Sequence, residues 1–140
     1  MFRIICFGFI SLFITSCAST ALQIEPVPSE FHQLTLQYFV ENHGKDRRRL
    51  DRIIATELIN KGYKVSSGYK NERPDDLDIL VCYDDKWFWD LSNYLLHMRI
   101  DFRNPKTNVL LATGSSYQTS LARKPANLII KNIISGMFEK

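Results

Sequence analysis

Three cysteines in 140 residues are too few for a disulfide scaffold. Six glycines and five prolines exclude a collagen-like or linker-like chain. The formal charge is only +3, well short of the basic excess of a nucleic-acid-binding module. No apolar run approaches the roughly 20 residues of a membrane-spanning helix. There is no G-x-S-x-G elbow, no HExxH and no phosphate-binding glycine loop. His32, His43 and His97 show no metal-ligand spacing among themselves or with Cys82. These absences point away from a multidomain enzyme, and no catalytic residue, metal or cofactor is expected. What remains is one ordinary globular domain with a distinctive start.

That start reads as a secretory signal over residues 1–16. Arg3 is its lone positive residue, and Ile4 to Ile14 form an apolar stretch broken only by Gly8 and Ser11. Eleven residues suit a signal peptide and are too few for a span. Small residues follow, from Thr15 to Ser19. The stretch Ile14-Thr15-Ser16-Cys17 resembles the lipobox of bacterial lipoproteins, with Ile where Leu is preferred and Ser where Ala or Gly is. The resemblance implies that Cys17 becomes the first mature residue, carries diacylglycerol and is N-acylated. Ala18 and Ser19, rather than Asp, imply release to the outer membrane, facing the periplasm. An ordinary signal peptide cut near Ala18 or Ala21 is the alternative. If Cys6 leaves and Cys17 is acylated, Cys82 is left as a lone thiol, expected as a small buried hydrophobe.

The mature chain is expected to be α+β. Residues 17–31, with Pro26 and Pro28, read as a lipidated tether, and 32–140 as a single domain. Strands are expected over Leu34–Val40, Tyr63–Tyr69, Asp78–Tyr83, Tyr94–Arg103 and Val109–Tyr117. Helices are expected over Lys45–Lys61, stopped by Gly62, and from Pro125 to Phe138. The order β-α-β-β-β-β-α gives a mixed or antiparallel sheet of four to five strands with two helices on one face. In Tyr94–Arg103, Leu96, Met98, Ile100 and Phe102 should face the core, with His97, Arg99, Asp101 and Arg103 facing water. Gly114-Ser115-Ser116 reads as a bulge or strand twist.

Three groups stand out as candidate sites. Trp87-Phe88-Trp89 cannot all face one core, so Trp87 and Trp89 share a face opposite Phe88. With Tyr83, and with Tyr94 and Tyr117 if the strands align, they form a candidate partner contact. Arg47, Arg48, Arg49 and Arg52 are candidate contacts for anionic lipid. Three of them, with Lys45, fall in the first turn of the expected helix, where cations oppose its dipole. Asp75, Asp76, Asp78, Asp84 and Asp85 concentrate carboxylate, as a cation site or as strand-edge charge.

The stretch from Leu50 to Phe138 resembles a family of small bacterial lipoproteins of unknown function. The resemblance rests on Glu57-Leu58-Ile59-Asn60-Lys61-Gly62-Tyr63, the Asp-rich entry into Asp78-Ile79-Leu80-Val81, and the turn Asn104-Pro105-Lys106-Thr107. The layout is also similar to the lipoprotein that assists lipopolysaccharide assembly at the outer membrane. These likenesses imply a non-enzymatic accessory subunit, held on the membrane through Cys17 and binding an envelope protein or lipopolysaccharide. A lipid- or lipopolysaccharide-binding protein is the second expectation, and a metal-dependent hydrolase built on the aspartates the third.

Overall fold

The structure, a computed structural model, describes residues 20–139. The signal segment 1–16, Cys17 and its acylation lie outside the described residues. The elements are β1 (Thr20–Glu25), β2 (Gln37–Glu41), α1 (Leu50–Asn60), β3 (Lys64–Gly68), β4 (Ile79–Asp90), β5 (Ser92–Arg103), β6 (Leu110–Gln118) and α2 (Ala126–Phe138). They form a six-stranded mixed sheet in the order β1-β6-β5-β4-β2-β3. β2 runs parallel to both β3 and β4, and the other neighbours are antiparallel. The α+β class stands, with one strand more than expected.

The extra strand is β1, in the stretch read as a tether. Thr20-Ala21-Leu22-Gln23-Ile24-Glu25 is too short to announce itself beside two prolines. Tertiary pairing decides it: β1 adds an edge to β6, with Thr20 opposite Gln118 and Glu25 opposite Thr113. Pro26, which has no N–H to donate, follows where the strand stops. Val27 then turns into the core, and its N–H bonds the Met137 carbonyl at 2.8 Å.

Both helices pack on one face of the sheet. Leu50, Ile54 and Leu58 of α1 and Ile129, Ile130, Ile133, Ile134 and Met137 of α2 are buried with Val40, Val81, Met98, Ile100 and Phe102. Each such side chain contributes about 1.5–3 kcal/mol relative to exposure. α1 ends as its glycine foretells. Gly62, at φ +96°, donates to Ile59, and Tyr63 donates to Leu58, closing the last turn.

Its start is different. The helix begins at Leu50, not Lys45, and Arg49 sits outside it at φ +55°. Residues 45–49 are a loop held by Asp46, so the basic run does not load the first helical turn. Gly114 is no bulge either. A Cβ there would lie 2.6 Å from Ile133, so the missing side chain lets α2 settle on β6.

The bulge lies in β5 instead. The register passes from Lys86 opposite His97 to Trp87 opposite Leu95, leaving Leu96 over. Met98, Ile100 and Phe102 face the core as expected, while Leu95 takes the inward place assigned to Leu96. β4 also runs seven residues past its expected end at Tyr83, to Asp90, and with β5 forms a long hairpin.

On the other face, the connection from β3 to β4 lays Leu77 over Phe39 and Leu80. That covering makes β4 apolar on both sides in its first half. Cys82 packs there half-buried, and burial pushes its thiol up. Among the described residues, no helix is long and apolar enough to cross a membrane.

Candidate functional site

The 42–49 loop and the second half of β4 enclose an open groove of about 500 Å³, lined by His43, Lys45, Arg48, Tyr83, Asp84, Asp85 and Trp87. Buried Asp46 braces it from behind the lining. One carboxylate oxygen accepts the Arg48 N–H at 2.8 Å. The other accepts the Leu50 N–H at 2.6 Å and the Tyr83 hydroxyl at 2.7 Å. Asp46 thus ties the start of α1 to β4, and meets the backbone donors left free at a helix N-terminus. Burial, then the Asp46 hydrogen bond, push the Tyr83 phenol far above its ordinary value, so it stays a neutral donor.

Asp85 builds the opposite wall. It accepts His43 Nε2–H at 2.7 Å and Trp87 Nε1–H at 2.9 Å. His43 Nδ1 accepts the Lys45 N–H at 3.2 Å, so both ring nitrogens are engaged within the fold. Above, the Arg48 guanidinium lies over the Trp87 ring at 3.9 Å. This is a cation–π contact that fixes both groups. The groove therefore offers a fixed imidazole, a fixed guanidinium and an indole edge, with Lys45 exposed at the rim. Its charged lining residues are of both signs, with His43, Lys45 and Arg48 set against Asp84 and Asp85.

Part of the aromatic set is brought together, while Tyr94 and Tyr117 fall on the other face of the sheet. Tyr83, Trp87 and Trp89 project from one face of β4, and Phe88 from the other. That shared face is the one the helices cover, not the open side of the sheet. Trp87 is half-buried, whereas Trp89 is 67% exposed, beyond the reach of α1. Phe88 packs edge-on against Tyr94.

The arginines are not brought together. Arg49 makes a two-pronged pair with the buried Asp51, at 2.9 and 2.8 Å, and reaches over Tyr69. Burial alone would raise the Asp51 carboxyl, but hydrogen bonds from Arg49 and Asn42 outweigh it and hold it below its ordinary value. Arg48 is committed to Trp87. Arg47 and Arg52 are exposed, with no ion pair among the described residues.

The aspartates also scatter. Asp78 accepts the Gln37 N–H at 2.8 Å, and Asp85 serves the groove. Among the described residues, no three His, Cys, Asp or Glu side chains gather as a metal site. The sequence reading missed Asp46 and His43. A lone Asp four residues before Leu50 is the only signal that could have marked the first, and nothing local marks the second.

No family model matches the chain, and no curated protein does. Solved structures do. PelC from Paraburkholderia phytofirmans, solved as a dodecamer, is similar over 87% of this chain and 100% of its own, with TM-score 0.64 and 10% identity. A point variant of that PelC, also a dodecamer, gives TM-score 0.63 over 87% and 99%. TolB from Acinetobacter baumannii, at TM-score 0.46 and 15% identity, covers 84% of this chain but only 30% of its own. The PelC likeness shows that the two chains share a fold over that span. It does not show the lipopolysaccharide-assembly resemblance.

Proposed function

We propose that the chain is a lipid-anchored protein of the bacterial envelope, facing the periplasm from the outer membrane and acting by binding as an accessory subunit. The observation that carries this is the groove itself. Tyr83, Trp87 and Arg48 are fixed by Asp46 and Asp85 around an open space, and Trp89 stands unshielded beside it. Fixed aromatic and guanidinium groups at a rim favour a binding surface, because little side-chain freedom is lost on contact. The anchor rests on the lipobox-like Ile14-Thr15-Ser16-Cys17. PelC, of the same fold, was solved as a dodecamer, and we extend that to self-association of this subunit.

A photo-crosslinking residue at Lys45, on the groove rim, tests the reading in intact cells. The expected result is one discrete adduct, lost with Cys17→Ala and absent when the probe replaces exposed Leu34. Equal labelling from both positions, or none from Lys45, would sink the proposal. A lipid- or lipopolysaccharide-binding role is the second reading, favoured by the exposed, unpaired Arg47 and Arg52. It expects salt-sensitive binding to anionic vesicles that Arg47→Gln with Arg52→Gln weakens.

A further inference from the structure

One end of the sheet ends in an apolar tip. β2 leaves β4 after Val81 and β6 leaves β5 at His97, so the β4–β5 hairpin continues beyond them as a two-stranded arm. At its tip Phe88, Trp89 and Leu91 are 53%, 67% and 87% exposed. The loop after β6 reaches the same tip, where Arg123 bonds the Asp90 carbonyl and the Ser92 hydroxyl, and its Leu121 is 69% exposed. Four large apolar side chains gathered on a protrusion mark a contact surface.

The chain direction says which surface they meet. β1 is antiparallel to β6, with Thr20 opposite Gln118, and the Gln118 amide donates to the Leu95 carbonyl at 2.7 Å. The N-terminal end of β1 therefore stands at the base of the arm and points along it. Cys17 is three residues before Thr20 and can lie at most about 10 Å from it. Trp89 pairs with Asn93, two residues past Leu95, which is about 7 Å further out at strand spacing. An acyl chain held on Cys17 and the Trp89 ring can thus occupy one level.

We propose that the arm tip, with Leu121, enters the headgroup region of the phospholipid leaflet that holds the Cys17 anchor. Trp and Phe favour that region, where an apolar body meets a wet rim. Asp90, the tip's carboxylate, has Arg123 at 3.5 Å to offset its charge. Contact at the tip gives the anchored domain one orientation and holds the Tyr83–Trp87 groove just clear of the lipid. This inference rests on the anchored reading above.

The chain has two tryptophans, so each single Trp→Phe variant leaves one reporter. The full chain, expressed with its acyl modification, is reconstituted into phosphatidylethanolamine–phosphatidylglycerol vesicles with bromine near the headgroup end of the acyl chains. Trp87→Phe, which reports Trp89, should shift to the blue and lose most of its emission. Trp89→Phe, which reports Trp87 under Arg48, should lose little. Leu91→Asp, a change at an exposed turn that Asp tolerates, should keep the vesicles bound and restore the Trp89 emission. Floating chains whose Trp89 is not quenched would overturn the proposal. Trp89 shielded from both lipid bromine and aqueous acrylamide would also overturn it, placing a second copy or another protein on the tip. Chains that do not float at all would overturn the anchored reading, and the tip contact with it.

Discussion

Asp46 is the residue on which the groove depends. Its two carboxylate oxygens join the start of α1 to Tyr83 of β4. Asp46→Ala is expected to cost about 1–3 kcal/mol, since it strands a buried hydroxyl and uncaps a helix. A thermal melt would show this as a fall of several degrees, and a variant as stable as the native chain would deny Asp46 that role. Asp101 works the same way on the opposite face. Burial alone would raise its carboxyl, but Thr113 at 2.6 Å, Arg99 at 2.8 Å and Arg103 at 3.0 Å hold it below its ordinary value. A lowered carboxyl stabilises the fold above its unfolded value of about 4, and that stability is lost as the pH falls through the folded value. Denaturant midpoints should therefore hold steady from neutral pH down to that region and then drop. Asp101→Asn should lower the neutral plateau and flatten the acid limb, and an unchanged limb would assign the drop to other carboxylates.

At the scale of elements, α2 seats closely on β6 across a glycine. Gly114 admits Ile133, Ile24 and Met137 to distances that a methyl group would occupy. Gly114→Ala is expected to cost about 1–3 kcal/mol by overpacking. Chemical denaturation would measure it, and a neutral result would mean that the helix can shift freely. β1 belongs to the same contact, because Ile24 lies between strand and helix. Removal of residues through Glu25 should open the β6 edge and expose Met137, lowering stability rather than merely freeing a tether. Limited proteolysis of the shortened chain should cut within β6 or α2, and resistance equal to the native chain would argue that β1 is dispensable.

The whole molecule is a sheet with a protected centre and a two-stranded arm. β4 and β5 are flanked on both sides in their sheet-spanning part, but the arm beyond Trp87 has no third strand beside it, only its own pairing and the Arg123 contacts at its tip. Amide exchange should therefore be slowest from Ile79 to Tyr83 and from Met98 to Phe102, and much faster from Phe88 to Tyr94. In vesicle-bound protein the fast segment should slow if lipid covers the tip. Equal protection along the full hairpin in solution would mean that the Arg123 contacts hold the tip as firmly as a neighbouring strand would.

Local pattern alone determined the α+β class, α2, the Gly62 stop and the inward set Met98, Ile100 and Phe102. Each rests on period, turn chemistry or apolar spacing, which act within a few residues. The pairing of Trp87 with Trp89 was legible for the same reason, since strand alternation is fixed. Which side they face was not, because that depends on where the helices lie. Tertiary structure alone made β1 a strand, as an edge forms only where a partner edge waits. It moved the helix start to Leu50 through Asp46, whose partner Tyr83 is 37 residues away. It divided the arginines by setting Trp87 beside Arg48, while Arg49 turned to a carboxylate two residues on. And it brought the N-terminal end of β1 to the base of the aromatic arm, a juxtaposition set by strand order across the sheet.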